Sequence, residues 1–148
     1  MKLFQIVTLF LPATIFITFI WLIHWLDTAY ALNLYQYGLY PRTVKGLSGI
    51  LTMPLLHGDW KHLLNNSVPL MVLISFLYHF FRHHFFRISM YLWLLNGLWT
   101  WVFARESYHI GASGLVYAFS SFIFFAGIIL HDKKHIALSL LIVFLYGS

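Results

Sequence analysis

The sequence predicts an all-α membrane protein, a polytopic bundle of spanning helices, on three observations. Of its 148 residues, 61% are hydrophobic and only 9% charged, where a soluble domain carries about 25% charged residues. The apolar residues form long runs broken by short charged clusters, the pattern of successive membrane helices. The runs are solidly apolar rather than alternating, which excludes a transmembrane barrel, and lipid offers no hydrogen-bond partners to the edges of an open sheet. Residues 1–148 therefore read as a single membrane domain.

The first helix is expected over about residues 3–26. Its apolar run is too long for the core of a typical signal peptide. A long connection follows, from Asp27 to about Trp60, holding Gly38, Pro41, Gly46, Gly49, Pro54 and Gly58 among tyrosines and leucines. It is too apolar for a loose linker and too broken for a spanning helix. A packed substructure at the membrane interface fits this composition.

The second helix is expected over about 62–81, with Pro69 inside it, and Arg82-His83-His84 as a polar turn. The third covers about 85–104 and closes at Arg105-Glu106; the fourth covers about 110–130 and closes at the charged stretch from His131 to His135. The fifth covers 136–146. Eleven residues rise only about 16 Å at 1.5 Å per residue, short of a hydrocarbon core about 30 Å thick. The expectation is a chain cut inside this helix.

The net charge of +5 does not point to nucleic acid, because the basic residues lie at the ends of apolar runs, where they anchor and orient. With a cytoplasmic N-terminus, Lys2, Arg82, Arg87, Lys133 and Lys134 lie inside, and Arg42, Lys45, Lys61 and Arg105 outside. Cysteine is absent, which excludes disulfides, thiolate metal sites and a cysteine nucleophile.

Polar side chains inside spanning helices are costly and mark function. One group is His57-Gly58-Asp59-Trp60-Lys61-His62, continuing to Asn65-Asn66, where the second helix begins. His62 and Asn66 are four apart and share a helix face. The other is Gly111-Ala112-Ser113-Gly114, where the fourth begins, with Tyr117 one turn on. Both helices enter from the same side, so the two groups lie at similar depth. A serine at a helix N-terminus sits among free backbone N–H groups that favour developing negative charge. His62 and Asn66 offer further donors, each worth about 3–4 kcal/mol to an oxyanion transition state. Gly114 and Ala118 form a small-xxx-small pair suited to close helix packing.

The pattern H-x-x-x-x-H-x-x-x-N, followed one hairpin later by G-x-S-G-x-x-Y, resembles the rhomboid family of intramembrane serine proteases. His57, His62 and Asn66 carry the first motif; Gly111, Ser113, Gly114 and Tyr117 carry the second. The resemblance implies a bundle with about five of six core helices present. It implies an endopeptidase that cuts transmembrane segments of other proteins in the lipid bilayer. The setting is a bacterial cell membrane, with no cofactor or metal. Ser113 would be the nucleophile, and its N–H, His62 and Asn66 would line the oxyanion hole. Tyr117 would pack against the catalytic histidine, and His57 would support the region or bind water. That histidine belongs on a sixth helix which this sequence does not contain, so this form is expected to be inactive. The alternative is a rhomboid-like protein that binds transmembrane clients without cutting them.

The remaining histidines read blandly. His109, four before Ser113, is separated from it by Gly111. The pairs His79/His83 and His131/His135 have i, i+4 spacing but read as interfacial histidines at loop ends, and His24 reads as part of an interfacial belt.

Overall fold

A computed structural model describes residues 3–146. The first helix, α1, runs Leu3–Tyr30, one turn past the expected end at Leu26, because Asp27 anchors the turn that closes it. Leu32 N–H donates to the Asp27 carbonyl, Leu34 N–H donates to the Asp27 carboxylate, and the chain turns through left-handed Ala31 and Asn33.

The first loop is a chain of short turns around a single-turn helix, α2 (Gly49–Thr52). It packs on the helix Phe85–Phe103, called α4 below. Trp93 Nε1 donates to the Ile50 carbonyl and Trp101 Nε1 to that of Thr43. The Arg42 guanidinium donates to the carbonyls of Val102 and Ala104 at the end of the same helix. A β-carbon at Gly97 would collide with Ile50, so the glycine lets the loop lie directly on the helix.

Helix α3 runs Trp60–Phe80. Asp59 caps it, its carboxylate accepting the His62 N–H at 2.7 Å, which satisfies one of the free donors of the first turn. Pro69 lies inside the helix. Leu63, Leu70, Leu73 and Leu77 recur on one face and are fully buried. After a tight turn, α4 covers Phe85–Phe103. Helix α5 covers Ser113–Ile129, and α6 covers Lys133–Tyr146.

α5 begins at Ser113 rather than near Ile110. His109 pairs with Leu39 in an antiparallel bridge, and Gly111 adopts φ 106°, a left-handed conformation that ends any helix through this segment and favours glycine. The core is the seam between α3 and α5, where Leu115, Val116, Phe119 and Ile123 meet the α3 leucines. α1 packs on α3, and α4 and α6 pack on α5. Among the described residues, Val7–Tyr30 and Trp60–Phe80 are long and apolar enough to cross a membrane by length and composition alone.

Two histidines are more deeply packed than their sequence neighbours suggest. His24 is buried, its ring 4.5 Å from that of Trp60. His135 is also buried, against Phe76, Phe80 and Phe81, with Nδ1 3.1 Å from the Asp132 carboxylate. Neighbouring aromatic rings enclose both imidazoles.

Candidate active site

Helices α3 and α5 start at the same end of the bundle, and their two polar groups meet there. A β-carbon at Gly111 would collide with the His62 ring. Only glycine lets the backbone leading into α5 pass this close to that imidazole. The Gly111 N–H donates to the Met53 carbonyl at 2.9 Å, so the first loop fixes the turn from the other side. Ser113 follows as the first residue of α5 and is half-buried. The opening N–H groups of a helix have no carbonyl one turn back; those of Ser113 and Gly114 occupy this position.

Asn66 lies one turn beyond His62 and is fully buried. Its Nδ2 donates to the His62 carbonyl at 3.0 Å, and its Oδ1 accepts from the Tyr146 hydroxyl at 2.6 Å. Two partners of opposite polarity fix the carboxamide orientation, and the second amide hydrogen remains available. The Tyr146 hydroxyl also approaches the Ser113 side chain. Tyr117, 42% exposed, packs its ring 5.6 Å from that of Tyr146. The structure thus brings Gly111, Ser113, His62, Asn66 and Tyr117 together. His57 stands one step back, buried behind His62 with ring centroids 5.2 Å apart.

The electrostatics follow from burial. Desolvation pushes the His57 imidazole down to about 4, helped by the neighbouring His62 and His24, so the ring is neutral at pH 7. Its ring nitrogens make no well-formed hydrogen bond among the described residues. Asp59 is held below the usual carboxylate range, chiefly by the His62 N–H. Among the described residues, no three His, Cys, Asp or Glu side chains stand close enough to hold a metal ion.

Gly114, the residue after Ser113, lines a groove of about 540 Å³ between α4 and α5, whose walls also include Asn96, Tyr117, Ala118 and Ser121. The small-residue stripe expected from Gly114 and Ala118 lines it. A β-carbon at Gly114 would collide with the Asn96 carboxamide, whose Nδ2 is buried without a partner among the described residues. Sequence reasoning missed Asn96 and Tyr146. A lone asparagine inside an apolar run is the available signal for the first; nothing local marks the second. His109 is engaged elsewhere, with Nε2 3.0 Å from the Arg105 carbonyl.

The family model described as the rhomboid domain matches residues 44–148. An uncharacterized protein of Mycobacterium bovis and one of Mycobacterium tuberculosis are each 30% identical over 139 residues, 90% of this chain and 58% of theirs. An uncharacterized protein of Mycobacterium leprae is 29% identical over 108 residues, 69% of this chain and 43% of its own. The chain thus spans less than two thirds of the length of the curated relatives it matches. No solved structure matches it.

Proposed function

This chain belongs to the rhomboid family and is a membrane protein, and from that premise we propose that it is an intramembrane serine endopeptidase. Ser113 is the nucleophile, attacking a peptide carbonyl in a transmembrane segment of another protein. The backbone N–H of Ser113, the His62 imidazole and the free Asn66 amide hydrogen stabilise the resulting oxyanion. Preorganised donors in a water-poor site are effective because they need no reorganisation as charge develops. Gly111 and Gly114 give the backbone room, Tyr117 forms a wall of the pocket, and His57 supports His62 from behind. No cofactor enters the reaction.

The observation that carries this reading is the contact of His62 with Gly111, two residues before a serine that opens a helix. A serine nucleophile also needs a base. Among the described residues, Ser113 makes no hydrogen bond to a histidine. We propose that the base is a histidine on a helix seated in the α4–α5 groove, where Gly114, Ala118 and Ser121 permit close approach. The N-terminus faces the cytoplasm of a bacterial cell, and the site opens toward the outer face, where water reaches Ser113.

A second reading, a rhomboid-like protein that binds transmembrane clients without cutting them, has one observation in its favour. The Tyr146 hydroxyl stands on Asn66 and beside Ser113, where a substrate carbonyl would have to sit. The deciding experiment uses protein purified from the membranes of its source organism. A fluorophosphonate probe is expected to label it, with labelling lost in Ser113→Ala. Cleavage of a reporter transmembrane segment is expected to follow the same pattern. No labelling and no cleavage, with clients still co-purifying, would shift the assignment to the second reading.

A further inference from the structure

Away from Ser113, an apolar groove of about 520 Å³ opens on the outside of the bundle between α1, α3, α4 and α5. Leu11 and Phe19 mark its extent on α1, and Phe85 and Trp93 on α4. Each pair is about 12 Å apart at 1.5 Å per residue, most of one leaflet of a hydrocarbon core about 30 Å thick. The volume lies within the range of about 300–1,000 Å³ typical of ligand pockets. The groove therefore has the length and lining of a site for one acyl chain.

One end of it is basic. The Arg82 guanidinium stands over the Tyr78 ring, 5.5 Å from its centroid, and Tyr78 belongs to the groove wall. Arg87 is exposed on the first turn of α4, next to Phe86. Lys133 and Lys134 open α6 at the same end of the bundle, where His135 packs against Phe80 and Phe81. Acidic residues offset little of this charge. There is none from Trp60 to Arg105, and the Asp132 carboxylate is already occupied by His135 and the Lys134 N–H.

We propose that this groove binds an anionic phospholipid, with one acyl chain along the α1–α4 wall and the phosphate against Arg82 and Arg87. Basic pockets between membrane helices at the surface select anionic headgroups, by about five-fold for each arginine or lysine near the surface. None of the residues assigned to peptide cleavage takes part, so the inference stands apart from that assignment.

The test uses the full chain in neutral detergent micelles, titrated with phosphatidylglycerol or phosphatidylcholine carrying dibrominated acyl chains. Bromine quenches indole fluorescence on close approach, and Trp93 lies in the groove wall. Saturable quenching by the phosphatidylglycerol is expected at concentrations at least ten-fold below any saturation by the phosphatidylcholine. It should be absent in Trp93→Phe, and its midpoint should rise about 20-fold in the Arg82→Gln/Arg87→Gln double variant. Circular dichroism confirms that each variant is folded. Equal, unsaturable quenching by both lipids overturns the proposal. So does a saturable phase that survives in Trp93→Phe, or one indifferent to the two arginines.

Discussion

The Tyr146 phenol donates to the Asn66 carboxamide oxygen across 2.6 Å, joining α6 to the polar face of α3. Because Asn66 Nδ2 is simultaneously tied to the His62 carbonyl, the amide cannot turn without breaking two bonds. Tyr146→Phe removes one of them. A buried neutral hydrogen bond contributes about 1 kcal/mol net, and unfolding in mixed micelles should show a loss of that size. Under the peptidase assignment kcat should also fall, but by less than the factor of about 100 expected for Asn66→Ala, which deletes the donor itself.

His57 makes the protein sensitive to mild acid. Its folded value of about 4 lies below the ordinary 6.5, so between these values the unfolded chain holds a proton that the folded chain does not. Stability rises with pH wherever the unfolded state binds more protons. It should therefore be full above about pH 6.5 and decline as pH falls toward 4. The loss should be on the order of 3 kcal/mol from this group. His57→Gln, which cannot titrate, should flatten that part of a stability–pH profile measured by chemical unfolding.

Gly114 and Asn96 should behave as a coupled pair. Gly114→Ala forces a methyl group into the Asn96 carboxamide, an overpacking that costs about 1–3 kcal/mol. Asn96→Ala makes the space, so the double variant should recover much of the loss. Additive effects in the cycle would mean that the two side chains do not press on each other.

Asp59 caps α3 through the His62 N–H. Asp59→Asn preserves an acceptor of comparable capping strength, whereas Asp59→Ala leaves the donor bare. The melting temperature should fall in the alanine variant and hold in the asparagine variant. A carboxylate held below its usual range contributes above its unfolded value and loses that contribution as pH falls through the folded one. The difference in stability between the parent protein and its Asp59→Ala variant should therefore shrink in strong acid.

Much of the fold was legible because lipid permits so few architectures. Apolar run length and charge breaks suffice to find α1, α3, α4 and α5, and i, i+4 spacing puts His62 and Asn66 on one face. What escaped depends on packing. Nothing near Tyr146 distinguishes it from a membrane-anchoring tyrosine, since its partner lies 80 residues away. Nothing beside His24 or His135 in the sequence marks either ring as enclosed, yet aromatics from other segments bury both. The late start of α5 comes from the Leu39–His109 bridge and the Gly111–Met53 bond, two long-range pairings. Local helix propensity carries no trace of either.

Those two pairings have a mechanical consequence. The segment that delivers Ser113 hangs from the first loop at Leu39 and Met53, and that loop is itself bolted to α4 through Trp93, Trp101 and Arg42. The serine thus rides on a lever whose far arm is the first loop. A misplacement of about 1 Å at a reacting group can cost a factor of about 100 in rate. Under the peptidase assignment, whatever displaces that loop would therefore set the pace of a reaction it never touches.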